Sequence, residues 1–256
     1  MRNCGLRAAL VAVTACAVFP ACNRGADRPD VSNAPGPAAE QSSSSTGTLR
    51  GIVRLTGAQI PDPSLIENTT DPEICGRVQQ TQDLVVQRDD RGIANVIVAL
   101  RGVPPEKVPA ATRPDRLVLD NRNCQFVPHV AVLSVGGTIE TVSHDAVLHT
   151  VHFYGALERN VALPNESATT TVTVSEPGMI AVLCDVHGWM KAFIRVDSHP
   201  FHAVTDAEGT FVIEGIPAGV YELDAWHERL GSQSVSVGIE PGAIAEVELT
   251  YALADR

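Results

Sequence analysis

The chain from residue 47 onward alternates short apolar runs with Gly, Pro, Asp and Asn. In runs such as "TFVIEGI" and "GVYELDAW", apolar residues recur at every second position, which is the period of a half-buried strand. No run keeps the 3.6-residue period of an amphipathic helix. The pattern predicts an all-β protein made of sandwiches or barrels, and not a parallel sheet covered by helices. Residues 57–92, dominated by Pro, Asp and Gln, are predicted to be loops.

Residues 1–21 have the pattern of an export signal peptide: arginines, an apolar stretch rich in Ala and Val, and small residues before a cysteine. A cysteine in that place resembles the lipobox of bacterial lipoproteins, in which the thiol is lipidated and begins the mature chain. "FPAC" places this residue at Cys22, and "VTAC" places it at Cys16. The length of the apolar stretch favours Cys22, and an ordinary secretory signal with an incidental cysteine stays open.

Residues 22–46 are dense in Ser, Pro, Ala and Gly and almost free of large apolar side chains, so they predict a flexible linker. With a lipid anchor, such a linker would hold the folded part away from a membrane in the bacterial periplasm. The formal net charge of −11 argues against nucleic acid or an anionic membrane surface as a main partner. Membrane contact is therefore expected only through the lipid.

The cysteines beyond the leader are Cys75, Cys124 and Cys184. An odd thiol is a liability in an oxidising compartment unless it has a task. The chain contains no C-x-x-C motif, so zinc knuckles, thioredoxin chemistry and covalent haem attachment are unsupported. The economical arrangement is a disulfide between Cys75 and Cys124 that leaves Cys184 as a metal ligand. The alternative is that Cys75 and Cys124 are unpaired core residues.

The stretch "AVLCDVHGWMKAFIRVD" spaces Cys184, His187 and Met190 three residues apart. Thiolate, imidazole and thioether are three of the ligands of a blue-copper site, which needs a second imidazole. "HDAVLHTVHFYG" offers His149 and His152, which strand alternation places on opposite faces, so only one of them can join the site. The alternative is a core strand in which the cysteine and the methionine merely pack.

Residues 116–197 resemble cupredoxins. "FVPHVAVLSVGGTIETVSHDAVLHTVHF" is similar to the family's strands before the first ligand, and "PGMIAVLCDVHGWMKAFIRVD" is similar to its closing strand, ligand loop and last strand. The resemblance implies a Greek-key β-sandwich or barrel with one type 1 copper ion. The ligands that it implies are His149, Cys184, His187 and Met190.

The same resemblance implies how the site meets its surroundings. Thr150 stands where many relatives have an Asn that ties the two ligand loops together, so the tie is either weaker or made by the Thr hydroxyl. The ring edge of His187 is expected to face outward, with Trp189 beside it, as the surface for electron transfer. His152 is expected at the rim or buried, and His129 and His144 are expected on the surface or in turns.

A second resemblance covers the end of the chain. "AVTDAEGTFVIEGIPAGVYELDAWHERLG" resembles the carboxypeptidase regulatory-like, transthyretin-related β-sandwich, with a turn at Asp206 and Gly209. The family's first strands resemble "GIVRL" and "ANVIVAL", which lie before the cupredoxin-like region. The prediction is a second sandwich made of residues 47–103 and 201–256, with the copper domain inserted between them. The alternative is that the early strands pad the cupredoxin.

These patterns together predict an exported type 1 copper protein that carries single electrons and is not an enzyme. The expected partners are periplasmic redox proteins such as a cytochrome or a dehydrogenase. One alternative is the electron-input subunit of a copper enzyme of the nitrite-reductase or multicopper-oxidase kind. The other is a copper-binding or partner-recognition module without a carrier role. The cluster from Trp226 to Glu228 is predicted to be a strand end that packs on the neighbouring domain.

Overall fold

The computed structural model describes residues 45–57, 59–110 and 115–253. The predicted signal peptide, both lipidation candidates (Cys16 and Cys22) and nearly all of the predicted linker lie outside these residues. The described part is built almost entirely from strands, which confirms the all-β prediction. Among its residues, no helix has the length and apolar character needed to cross a membrane.

The first sandwich, which we call the outer sandwich, combines strands from both ends of the described chain. One sheet has the order β15-β1-β18 and the other has the order β14-β4-β16-β17. Its strands are β1 (Thr46–Thr56), β4 (Ile97–Arg101), β14 (His202–Val204), β15 (Thr210–Pro217), β16 (Gly219–His227), β17 (Gly231–Ile239) and β18 (Ile244–Ala252). Phe211, Ile213, Tyr221 and Leu223 point into its core, as strand alternation requires.

The second sandwich, the inserted sandwich, is formed between β4 and β14. Its sheets have the orders β10-β9-β12-β13-β7 and β11-β8-β5-β6. Its strands are β5 (Arg116–Arg122), β6 (Gln125–Val127), β7 (Val130–Ser134), β8 (Thr138–Ser143), β9 (His149–Gly155), β10 (Arg159–Leu163), β11 (Thr169–Thr173), β12 (Gly178–Leu183) and β13 (Lys191–Asp197). Its core, around Leu119, Phe126 and Phe153, is separate from that of the outer sandwich.

A short segment before β4 covers one end of the inserted sandwich. It contains β2 (Leu65–Glu67), the helical turn α1 (Pro72–Cys75) and β3 (Val78–Gln80), and β2 pairs with β3. The loops predicted here therefore include a small hairpin, which strands of three residues are too short to reveal by periodicity. The predicted disulfide between Cys75 and Cys124 is confirmed, and it ties this cover segment (Leu65–Gln80) to the turn before β6.

The two sandwiches touch along β13 and the end of β16. The ring centroids of Phe193 and Trp226 lie 5.1 Å apart, and Glu228 Oε2 lies 2.6 Å from Lys191 Nζ. The carboxylate of Glu228 also accepts a hydrogen bond from His129. His129 was predicted on the surface or in a turn, and it lies in the turn between β6 and β7. The surface alternative is wrong, because Glu228 of the outer sandwich closes over its ring. His144 is half exposed, as predicted.

Candidate metal centre

A tight loop between β12 and β13 carries the predicted motif. The backbone N–H of Cys184 donates to the carbonyl of Met190 (3.2 Å), and that of Met190 donates to the carbonyl of His187 (2.9 Å). These two bonds close the loop, so three side chains spaced by three residues are held at one end of the sandwich. All three are buried.

His149, the first residue of β9, meets this loop from the neighbouring strand. Its Nδ1 lies 3.1 Å from Nδ1 of His187 and 3.9 Å from Sγ of Cys184. Sγ of Cys184 lies 3.8 Å from Nδ1 of His187, so the three atoms form a compact triangle. His149 and His187 are fully buried and Cys184 is 3% exposed. Strand order and spacing alone therefore bring three of the four predicted ligands together.

The outer nitrogens of both imidazoles are held by carboxylates. Nε2 of His149 lies 3.0 Å from Asp145 Oδ2, and Nε2 of His187 lies 3.1 Å from Asp71 Oδ2. An ionised carboxylate only accepts hydrogen bonds, so each Nε2 carries the proton and each Nδ1 presents a lone pair to the triangle in the neutral ring. Burial, and then the neighbouring His187, lower the pKa of His149, which favours the neutral ring.

A cation can bind where two imidazole lone pairs and a sulfur face each other in a buried space. Bonds of about 2.0–2.1 Å to nitrogen and about 2.3 Å to sulfur place two nitrogens about 3 to 3.6 Å apart and nitrogen about 3.8 to 3.9 Å from sulfur around one ion. The observed separations of 3.1, 3.8 and 3.9 Å fit one ion between the three atoms. A carboxylate on the far nitrogen of each histidine is the usual support of a metal-binding imidazole.

Backbone donors also surround the sulfur. The N–H groups of Thr150 and His187 both lie 3.4 Å from Cys184 Sγ and donate to it, which stabilises a thiolate. The Thr150 hydroxyl accepts a hydrogen bond from the N–H of Asp185 (2.7 Å) and so links the two ligand-bearing segments. Of the two alternatives for this tie, the structure shows the one made by the Thr hydroxyl.

Met190 and His152 occupy different positions relative to the triangle. Met190 is 2% exposed and packs in the core of the inserted sandwich, and its role as the axial ligand stays a prediction. His152 lies on the opposite face of β9, as alternation predicts, and its Nδ1 contacts Asp185 Oδ1 at the surface (3.0 Å).

The predicted exposure of His187 is wrong. The side chain is fully buried, because Asp71 and the disulfide of the cover segment lie against its outer nitrogen. Cys75 Sγ is 3.6 Å from Nε2 of His187. Trp189 is half-buried, and its Nε1–H donates to the carbonyl of Cys124 (2.9 Å). These two residues therefore do not form the small exposed apolar patch that the sequence suggested.

Sequence analysis missed Asp71 and Asp145, the carboxylates that hold the two histidines. Asp145 stands four residues before His149 in "HDAVLH", which is an ordinary composition for a turn. Asp71 is separated from His187 by more than a hundred positions, and the one available signal was the predicted disulfide. A bond from Cys75 to the turn before β6 brings the segment around Asp71 to the same end of the sandwich.

No protein-family model matches the chain, and no curated protein matches it in sequence. Similar solved structures include a copper-containing nitrite reductase of Thermus scotoductus SA-01 (23% identity, TM-score 0.29), covering 37% of this chain and 27% of that one. A variant of amicyanin in its Cu(I) form has 22% identity and a TM-score of 0.29, and the match covers 39% of this chain and 98% of that one. A purple cupredoxin of Nitrosopumilus maritimus has 18% identity and a TM-score of 0.29, and the match covers 32% of this chain and 99% of that one. At these TM-scores the similarity is not evidence of function.

Proposed function

We propose that the inserted sandwich binds one copper ion as a type 1 centre and that the protein carries single electrons. His149, Cys184, His187 and Met190 would hold the ion. The observation that supports this proposal is the buried triangle of two imidazole nitrogens and one cysteine sulfur, because this donor set with a thioether is the one that blue copper uses. The ion would supply a one-electron couple, and the chain supplies a buried site for it.

The closed site favours a carrier over an enzyme. In the described part of the chain, every group of three or more potential metal ligands contains His149 or His187, so each overlaps this one site. A catalytic metal needs an open coordination position that a substrate can reach. The three ligands here are buried, and the cover segment closes the side of His187. An electron needs no such opening, because it can cross a thin layer of protein.

The setting that we propose for this carrier is the bacterial periplasm. The export signal and a lipid on Cys22, or alternatively on Cys16, would tether it through the linker of residues 22–46. Its partners would be redox proteins such as a cytochrome or a dehydrogenase. The outer sandwich, with its resemblance to carboxypeptidase regulatory-like domains, would serve as a support or a recognition module. The second candidate function is an electron-input subunit of a copper enzyme. A single buried site is suited to this role as well.

The first prediction tests the thiolate. Copper-loaded wild-type protein should show an intense visible band, because thiolate-to-copper charge transfer gives type 1 sites their colour. Cys184→Ser and His149→Ala should abolish this band, and His152→Ala should keep it, because His152 lies on the other face of β9. Visible absorption and copper content measure both outcomes. A pale wild-type protein that retains copper would contradict the proposal and indicate storage instead.

A further inference from the structure

The route from the site to solvent through His187 is closed. Its Nε2 lies against Asp71 and the disulfide, and the side chain has no exposed surface. A redox partner therefore cannot touch this ligand directly, and on this side an electron would have to cross the cover segment. Exposed surface also lies close to Cys184, on the strands on either side of it.

Short covalent and hydrogen-bonded links connect Cys184 to that surface. Asp185 follows it directly, with 44% of its side chain exposed. The N–H of Asp185 donates to the Thr150 hydroxyl, and the N–H of Thr150 donates to Cys184 Sγ. His152 follows Thr150 by two residues and lies on the same side of β9. It contacts the carboxylate of Asp185. Few bonds therefore separate the sulfur from solvent on this side.

The strand register defines the surface in question. His152 lies directly opposite Leu183 of β12 and Asn160 of β10, so these three side chains form one row across the sheet. Tyr154 continues the surface along β9, and its ring stacks on His152 with centroids 4.0 Å apart. We call this surface the β9 face; it consists of His152, Tyr154, Asn160, Leu183 and Asp185.

The β9 face is ordered before any partner arrives. Nδ1 of His152 lies 2.7 Å from the hydroxyl oxygen of Tyr154, and Asn160 Nδ2 donates to Asp185 Oδ2 (2.8 Å). Tyr154 is 36% exposed and Leu183 is 39% exposed. The outer sandwich packs against the β13 side of this sheet, through Trp226 and Glu228. A preorganised exposed surface of this kind costs little entropy when a partner binds.

The charge on the β9 face is negative. Asp185 presents a carboxylate that is 44% exposed, accepts a hydrogen bond from Asn160 and contacts Nδ1 of His152. Glu158, at the turn before β10, accepts from the N–H of Gly155 at the edge of the face. Lys191, opposite Leu183 on the other side, is paired with Glu228 and so adds no free positive charge.

We propose that the β9 face is the docking surface for a redox protein that presents positive charge around its cofactor. The inference rests on the proposed function and names the partner's chemistry. Opposite charge speeds the encounter, and a surface of this size suits a partner that must leave quickly. In the exchange, one electron passes between the partner's cofactor and the copper couple, and no atom is transferred.

The test measures docking itself, with cytochrome c as a basic haem protein. Amide NMR shifts of the folded full-length protein are followed as reduced cytochrome c is added, first to copper(I)-loaded and then to metal-free protein, so that no electron is exchanged during the titration. Leu183→Lys puts a positive charge at the centre of the β9 face and should weaken binding about fivefold at low ionic strength. The effect should shrink in high salt, where the Debye length falls to about 3 Å at 1 M.

Val78→Lys is the matched control. It makes the same change at an exposed apolar residue (53%) on β3 of the cover segment. Shifts on β9, β10 and β12, with weaker binding only for Leu183→Lys, support the proposal. Shifts on the cover segment with weaker binding for Val78→Lys overturn it, as does no saturable binding or an equal effect of both. Because metal-free protein is included, these outcomes are separate from the visible band on which the proposed function depends.

Discussion

Asp145 shows how a single residue orders the metal site. Its carboxylate accepts hydrogen bonds from the N–H groups of Asn123 (2.8 Å) and Cys124 (2.9 Å), and it also contacts Nε2 of His149. The disulfide-bearing turn therefore fixes the orientation of a ligand on another strand. Spacing revealed the ligands themselves, because C-x-x-H-x-x-M is a local pattern. Asp145 has no such pattern, since the two N–H groups that it binds lie about twenty positions away and meet it only in the folded chain.

Gly209 is the residue at which backbone conformation limits the sequence most clearly. Its φ of +77° is in the left-handed region, and an added Cβ would lie 2.6 Å from both the carbonyl oxygen of Val53 and the amide nitrogen of Ile93. Gly209→Ala should therefore lower the free energy of unfolding by about 3 kcal/mol or more, because conformational strain and a backbone clash add together. Urea denaturation measures the change.

Gly215→Ala is the control for this prediction. Gly215 has a similar φ of +68°, and nothing lies within 4 Å of its added Cβ. The Gly215→Ala variant should lose only about 1 kcal/mol of unfolding free energy, which is the cost of an alanine in the left-handed region. Equal losses for the two variants would mean that the close backbone approach at Gly209 contributes nothing.

At the scale of elements, the alternating strands could be predicted and the cover segment could not. β16 buries every second residue from Tyr221 to His227, and β15 buries Phe211 and Ile213 before its alternation shifts by one residue. Their apolar periodicity alone therefore identifies both strands. The cover segment is held instead by single contacts, such as Asn68 Nδ2 donating to the carbonyl of Gly76 (2.7 Å). Its position over His187 depends on long-range contacts: the disulfide, the Asp71 carboxylate and the hydrogen bonds of Gln125. Periodicity reports none of these, and for that reason the predicted exposure of His187 was wrong.

The disulfide is the covalent attachment of this element, and its removal should loosen the cover. The bond closes a separation of 49 residues, so Cys75→Ala with Cys124→Ala should cost about 4 kcal/mol in the chain-entropy model. The amides of the cover segment should lose protection from hydrogen exchange more than those of β13. Mass spectrometry of exchanged peptides resolves the two regions.

Gln125→Ala removes a weaker attachment of the same element and serves as the control. Gln125 accepts from Gln82 Nε2 (2.9 Å) and donates to Gln79 Oε1 (3.2 Å). Its loss should reduce protection of the cover segment much less than the loss of the disulfide does. Unchanged exchange in the cysteine double variant would show that Asp71 and the hairpin suffice to hold the segment over His187.

At the scale of the whole molecule, two separate cores are joined by a small polar and aromatic junction. Strands from both ends of the described chain complete the outer sandwich, because β1 lies between β15 and β18. Such pairing was foreseeable only through the resemblance of "GIVRL" and "ANVIVAL" to a family's first strands, since strand patterns do not specify distant partners. The junction itself contains Glu228, a buried charge whose partners are Lys191 of β13 and His129 in the turn before β7.

Glu228→Ala should uncouple the two sandwiches. Burial raises the pKa of Glu228, but the hydrogen bonds from His129 and then Lys191 outweigh it, so the carboxyl stays ionised. Removing it leaves both partners unpaired at a cost of about 3 kcal/mol, the low end for a buried pair because the Lys191 side chain is 35% exposed. Calorimetry should then show two unfolding transitions instead of one, and copper should raise the midpoint temperature of only the transition that belongs to the inserted sandwich.

Glu222→Ala is the control. Glu222 lies on the exposed side of β16, so this variant makes the same change in charge and should keep one transition. A single transition in both variants would mean that the remaining contacts, such as that of Phe193 with Trp226, suffice to couple the sandwiches.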